Sequence, residues 1–319
     1  VILEISDYCI AAIYHNDFEA PFLATTQEFY NLESLEYLSS ATASDYVRKA
    51  TSRLAEEQER AQSLQLPVTT EGPLMHVVHT EWIERHAITL VDMETTGFSA
   101  LLQADDDKRK DMQEMYDLFS RIPQSVDHLR DALANRVKAD GEKCMADQSS
   151  GQADAATFLR HVLAMRAKYT GIVEESFRNE KKAQKRMRES FEDFLNADAR
   201  AASCLAAYED ELLRVGLRGA TDDEIKTTLE KTITIFRYLN DKDVFESYYK
   251  QHLAKRLLGG RSVGDEAERR MVSLLKAECG YQYTSKLEGM FNDMRISKET
   301  RVKYKTYKRQ KDGSCSVDI

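Results

Sequence analysis

The residues with the greatest chemical capacity lie close together in the stretch MHVVHTEWIERH, where His76, His79 and His86 stand near Glu81 and Glu84. A histidine pair spaced i, i+3 shares one helical face, and a nearby carboxylate can complete a metal site, so the stretch raises the prospect of a metalloenzyme. The order H-E-x-x-H, which sets two ligands and a general base on one face, is absent, and no cysteine stands close enough to join in. The plainer reading is a solvated helix face, with Trp82, the only tryptophan, as a packing anchor. On this reading the chain has no catalytic residue, no cofactor-binding residue and no metal ligand.

The other devices for chemistry are missing as well. Cys9, Cys144, Cys204, Cys279 and Cys315 are dispersed and odd in number, and no C-x-x-C pair occurs, which removes zinc-ribbon and thioredoxin-like sites. Cys279, beside Gly280, reads as a small packing residue. Neither glycine-rich phosphate loop is present, nor the G-x-S-x-G turn that exposes a nucleophilic serine. A net charge of -9 argues against nucleic acid as a partner of the chain as a whole. No apolar run approaches the ~20 residues that span a bilayer. The expectation is a reduced, soluble, intracellular protein. Because the chain opens on Val1, it is also expected to be a fragment or an incomplete gene product.

Two cationic stretches remain. RNEKKAQKRMR carries Arg178, Lys181, Lys182, Lys185, Arg186 and Arg188 above an apolar stripe of Met187, Phe191 and Phe194. It reads as a solvated helix face, with a docking surface for an acidic partner as the sharper alternative. In KDVFESYYKQHLAKRLL, Lys250, Lys255 and Arg256 lie near a helix end followed by Gly259 and Gly260, which suits complementation of the helix dipole.

The elements that would position these residues are helical throughout. Four prolines and thirteen glycines in 319 residues are few, and both types interrupt helix interiors. Apolar residues recur at three- and four-residue steps, as in Phe158, Val162, Met165, Tyr169 and Val173. The same spacing marks Met112 to Ile122, Val126 to Val137 and Leu205 to Val215, and helices are expected over 22–38 and 82–98. Pro67 and Pro73 bracket a predicted break, and 138–154 reads as a surface loop. Thr221 and Glu224 form a capping-box pattern that begins a new group of short helices. The stripe of the second of these runs Phe245, Tyr249, Leu253 and Leu257, and short loops are expected to make consecutive helices antiparallel neighbours. The fold class is all-α, an elongated helical stack followed by a bundle.

KDVFESYYKQHLAKRLL, followed by SVGDEAERRMVSLLKAECGYQYTSKLEGMFNDMRIS, resembles the cullin family of ubiquitin-ligase scaffolds. NDFEAPFLATTQEFYNLES and MYDLFSRIP support the same resemblance, which covers residues 1 to 299 and is strongest to the class that recruits BTB-domain adaptors. It implies that residues 1–68 end the second cullin repeat, 69–219 form the third, and 220–299 begin the four-helix bundle. Residues 300–319 depart from the family as a basic tail, expected to be disordered. The resemblance also implies a non-catalytic scaffold in cytoplasm and nucleus, without cofactor, membrane or nucleic acid. Its partners would be a RING-box protein, BTB-domain adaptors and cullin-exchange factors, although the main binding regions for the first two are expected to be absent here. A truncated helical module that competes for partners is the alternative. The incomplete bundle is expected to leave Met290, Phe291 and Met294 uncovered.

Overall fold

The structure, a computed structural model, describes residues 12–104, 108–149 and 154–312, and every regular element among them is helical. The chain divides into two compact units, Val1–Ala139 with Ala167–Ser190, and Asp140–Arg166 with Phe191–Ile319.

In the first unit, α1 (Ala20–Leu38) packs on α3 (Val68–Trp82), and α2 (Ala43–Ser63) packs on α3 and on α6 (Arg109–Phe119). Two short helices, α4 (Ala87–Asp92) and α5 (Phe98–Leu101), link α3 to α6. The interior is aromatic. Tyr46 is fully buried against Trp82, with ring centroids 5.3 Å apart, and donates its hydroxyl to the Trp82 carbonyl at 3.0 Å. Aromatic pairs of this kind add to burial because the edge of one ring meets the electron-rich face of another. The apolar stripes read from the sequence face inward here, including Leu129, Leu133 and Val137 of α7 (Pro123–Ser149).

The second unit holds part of α7, of α8 (Ala155–Ser176) and of α9 (Lys181–Asn196), then α10 (Ala201–Glu211), α11 (Asp222–Tyr238), α12 (Lys242–Gly259), α13 (Asp265–Cys279) and α14 (Tyr281–Asp312). The capping box forms as expected: Glu224 N–H donates to the Thr221 hydroxyl, and Thr221 N–H donates to the Glu224 carboxylate at 2.8 Å. The principal packings skip one helix, joining α10 to α12, α11 to α13 and α12 to α14, with α13 also lying on α14. Short loops therefore do not make every consecutive pair the main neighbours. The successive helices α11 and α12 meet through long side chains, as where Phe236 meets Phe245 with centroids 4.9 Å apart.

Several expectations drawn from glycine and proline are corrected. The break predicted across 65–73 is shorter and earlier than expected: α2 and α3 part at 64–67, Pro67 caps α3, and Pro73 sits exposed inside it. One missing amide near a helix start is outweighed by the buried stripe of Leu74, Val78 and Trp82. The segment 82–98 is not one helix but a 3₁₀ turn, α4 and a turn before α5. Gly97 permits that turn, since a Cβ there would lie 2.6 Å from the Met93 backbone. Residues 138–149 are helix, not loop. Gly141 marks a close approach, because a Cβ at that position would lie 2.4 Å from the Phe194 ring. Residues 300–312 continue α14 instead of lying disordered, as their Lys- and Arg-rich composition favours helix even without burial. Residues 313–319 lie outside the described residues. Phe291 is buried at 8% exposure, against the expectation of an uncovered face, while Met290 and Met294 are half-buried.

Gly141→Ala separates two opposing effects. Alanine favours a helix interior over glycine by about 1 kcal/mol, whereas overpacking costs about 1–3 kcal/mol. The ring contact should win, giving a net loss of stability in urea unfolding; a stabilised variant would show that the two helices have room to spare.

Candidate functional site

The helix that carries KDVFESYYKQHLAKRLL is α12, and its buried face is Phe245, Tyr249, Leu253 and Arg256. The stripe ends on Arg256 and not on Leu257, which is only half-buried. Arg256 is 1% exposed, a rare state for a guanidinium, and its burial is possible because every side of it meets an acceptor or a ring. Its Nε and Nη2 donate to the two oxygens of Glu268 on α13, at 2.7 and 2.9 Å. Nη1 donates to Asp210 on α10 at 2.6 Å, and the guanidinium carbon lies 5.6 Å from the centre of the Tyr249 ring. Burial alone would lower the Arg256 pKa, but the bonds to Glu268 and Asp210 overrule it and raise it. The side chain stays charged.

The loop after α12 completes the cluster. Gly260 takes a left-handed conformation (φ 60°, ψ 30°) that turns the chain back, and Arg261 N–H donates to the Arg256 carbonyl at 3.1 Å. Ser262 then donates its hydroxyl to Glu268 at 2.9 Å, and Val263 N–H donates to the Leu213 carbonyl at 2.8 Å. One arginine thus ties α10, α12, α13 and a loop together.

Beside it lies Glu209, fully buried, with neither carboxylate oxygen holding a hydrogen bond. Loss of water pushes its pKa up from the usual 4.5 to about 8, with the nearby Glu268 charge adding to the rise and the Thr232 hydroxyl and the Arg256 charge opposing it. The Tyr249 hydroxyl is likewise buried without a partner, and burial raises its pKa well above the ordinary value. These groups are sealed inside the packing. The arrangement can hold helices in register, and it offers no nucleophile or proton donor to a bound molecule.

A family model described as Cullin alpha solenoid domain matches residues 2–301. The chain belongs to the cullin family. This cullin chain is 42% identical over 289 residues to Cullin-3A of Arabidopsis thaliana, covering 91% of this chain and 39% of that protein. It is 38% identical over 307 residues to Cullin-3 of Dictyostelium discoideum, covering 96% and 39%, and 32% identical over 320 residues to Cullin-3 of Schizosaccharomyces pombe, covering 96% and 40%. It therefore spans about two fifths of the length of these curated relatives.

In this cullin the histidine-rich stretch does not assemble one site. His76 is exposed near the middle of α3, and His79, half-buried a turn later, has its pKa lowered first by burial and then by the Arg121 charge. His86 is buried in the next turn, its Nε2 3.0 Å from the Ser34 hydroxyl of α1. Glu81 is buried and satisfied by Gln27, Asn31 and Arg85, at 3.0, 3.0 and 2.6 Å. Among the described residues no group of three or more His, Cys, Asp or Glu side chains is placed to hold a metal ion. Trp82 is the packing anchor expected of it. Cys204 is buried, whereas Cys144 and Cys279 are half-buried with thiol pKa values raised by burial, which keeps them from acting as ready thiolates. Cys9 and Cys315 lie outside the described residues.

Three of the cations in and just before α9 form ion pairs at the surface of the first unit. Arg178 pairs with Asp117 and Arg186 with Asp131, each at 2.6 Å, while Lys185 lies 3.6 Å from Glu189. Met187, Phe191 and Phe194 are buried beneath them, as the stripe foretold.

Glu209 makes stability fall as pH rises. Its folded pKa of about 8 exceeds the usual 4.5, so its contribution is fully present below that lower value and is lost through the window up to about 8. One proton gives a slope of about 1.4 kcal/mol per pH unit inside the window. Urea unfolding at a series of pH values should show this slope in the wild-type chain and a flatter profile in Glu209→Gln; parallel profiles would place the titration elsewhere. Arg256→Met should cost about 3–5 kcal/mol, because it strands Glu268 without its counter-charge in a dry site.

Proposed function

We propose that this cullin chain is part of the scaffold of a cullin-RING ubiquitin ligase of the cullin-3 type. The family match over residues 2–301 carries the reading. The scaffold is non-catalytic and sets the distance between a substrate adaptor and the RING module that brings in a loaded ubiquitin carrier. Packed helices make a stiff spacer, and stiffness raises the effective concentration of substrate near the carrier without a reactive group of its own. The bonds of Arg256 to Glu268 and Asp210 suit that work, since a spacer functions only if its helices keep their register.

The organisation that goes with this reading is the end of a second repeat at 1–68, a third repeat at 69–219 and the start of the four-helix bundle at 220–299. The partners are a RING-box protein, BTB-domain adaptors and cullin-exchange factors, contacted mainly through regions that relatives carry outside the matched two fifths. The place of action is cytoplasm and nucleus. No helix among the described residues is long and apolar enough to cross a membrane.

Native purification of the full-length gene product should bring down a RING-box protein in stoichiometric amount, together with ubiquitin-transfer activity that depends on that partner. Recovery of the intact product with no RING-box protein in repeated preparations would overturn the scaffold reading.

A further inference from the structure

The end of α10 leaves the α-helical pattern. Residues Leu212–Gly216 widen into a single π-helical turn, a form that is rare and is seen mostly as isolated turns of this kind. Leu217 N–H passes over the Leu213 carbonyl, the acceptor four residues back that an α-helix would use. It donates to Leu212, five residues back, at 3.0 Å. The Leu213 carbonyl, left without its helical donor, is taken by Val263 N–H at 2.8 Å, from the loop between α12 and α13. Leu213 is fully buried, so its carbonyl would bear the desolvation cost of an unpaired group if neither donor reached it. The turn therefore holds one residue more than an α-helix accommodates, and a bond from outside the helix keeps that residue in place.

We propose that this turn is a two-register joint, π-helical while the loop after α12 is docked on Leu213 and α-helical when that loop lifts. On lifting, Leu217 N–H falls back to the Leu213 carbonyl, and the chain beyond turns by one residue's rotation, about 100°. Two features put the second register within reach. Leu213 and Leu217 are both buried, and an i, i+4 pair shares one face of an α-helix too, so the change drags no apolar side chain into water. Gly219 is left-handed (φ 82°), with open space where a Cβ would stand, so the connection to α11 can re-aim there. The docked loop is held by Ser262, whose hydroxyl donates to the Glu268 that also binds Arg256. Arg256 in turn reaches Asp210 on α10, three residues before Leu213. Docking of the loop and the course of the α10–α11 connection are thus one equilibrium, carried by a bistable element. All of these groups lie between residues 210 and 268, and none has to be reached from solvent.

Replacing the Val263 N–H with an ester oxygen removes the one donor and alters no side chain. A crystal structure of the full chain with Val263 exchanged for its α-hydroxy acid analogue should show Leu217 N–H on the Leu213 carbonyl. Loss of the bond to a buried carbonyl shifts the balance between registers by about tenfold or more. A Leu217 N–H that stays on Leu212 overturns the proposal. Deletion of Val215, which is exposed in the turn, gives a second test. It takes out the surplus residue, so that Leu217 stands four places after Leu212 and an ordinary α-helical turn keeps the same bond. The deleted chain should fold with the circular dichroism of the wild type, and the ester at position 263 should then leave Leu217 on Leu212. A deleted chain that fails to fold makes the wide turn a fixed requirement of the structure and overturns the joint. So does one in which Leu217 still changes acceptor when the ester is introduced.

Discussion

A guanidinium taken out of water must be surrounded by acceptors, and that requirement organises the second unit of this cullin. Arg256 meets it with Glu268 and Asp210, which stand on two other helices, and with the face of Tyr249. Each partner therefore has one permitted position along its own helix. A hydrophobic contact in the same place would tolerate a slide of an ångström or two; a bidentate arginine–carboxylate pair does not. After the turn at Gly260, Ser262 adds a further bond to Glu268, and Val263 fastens the loop to the Leu213 carbonyl.

The first unit solves its own version of the problem with neutral donors. Glu81 is buried in α3, where Gln27 and Asn31 of α1 donate to it and Arg85 supplies the charge. His86 and Ser34 do the same one turn further on. Groups that resemble a catalytic constellation when written in a line are, in the fold, the means by which one helix is fixed on the next. Among the described residues Glu81, Arg256 and Glu268 are buried against partners, whereas Glu209 and the Tyr249 hydroxyl are buried without a hydrogen bond.

Helix positions were readable from the sequence wherever apolar residues kept a three- or four-residue rhythm, since that rhythm is the buried face itself. The Thr221–Glu224 cap was readable because both halves of the interaction lie within four residues. Pro73 and Gly141 were misleading because a breaker residue signals cost, not outcome, and the packing of α3 and the Phe194 ring decide the outcome. Arg256 was legible only in part. It occupies the position three after Leu253 on the Phe245–Tyr249–Leu253 stripe, and an arginine in register with an apolar face is the mark of a buried ion cluster. Its partners, 46 positions before it and 12 after, gave no local sign. The histidines failed for the opposite reason: nearness in sequence says nothing about whether side chains on successive turns look into the core or out of it.

Gly141 and Phe194 have a further consequence. Where a backbone runs directly against an aromatic ring, the two positions share a single volume, so neither can drift independently over evolutionary time. A lineage that enlarged position 141 would have to shrink position 194 in compensation. The pair should therefore surface among cullins as a correlated substitution, a trace of interhelical distance written into the genetic record.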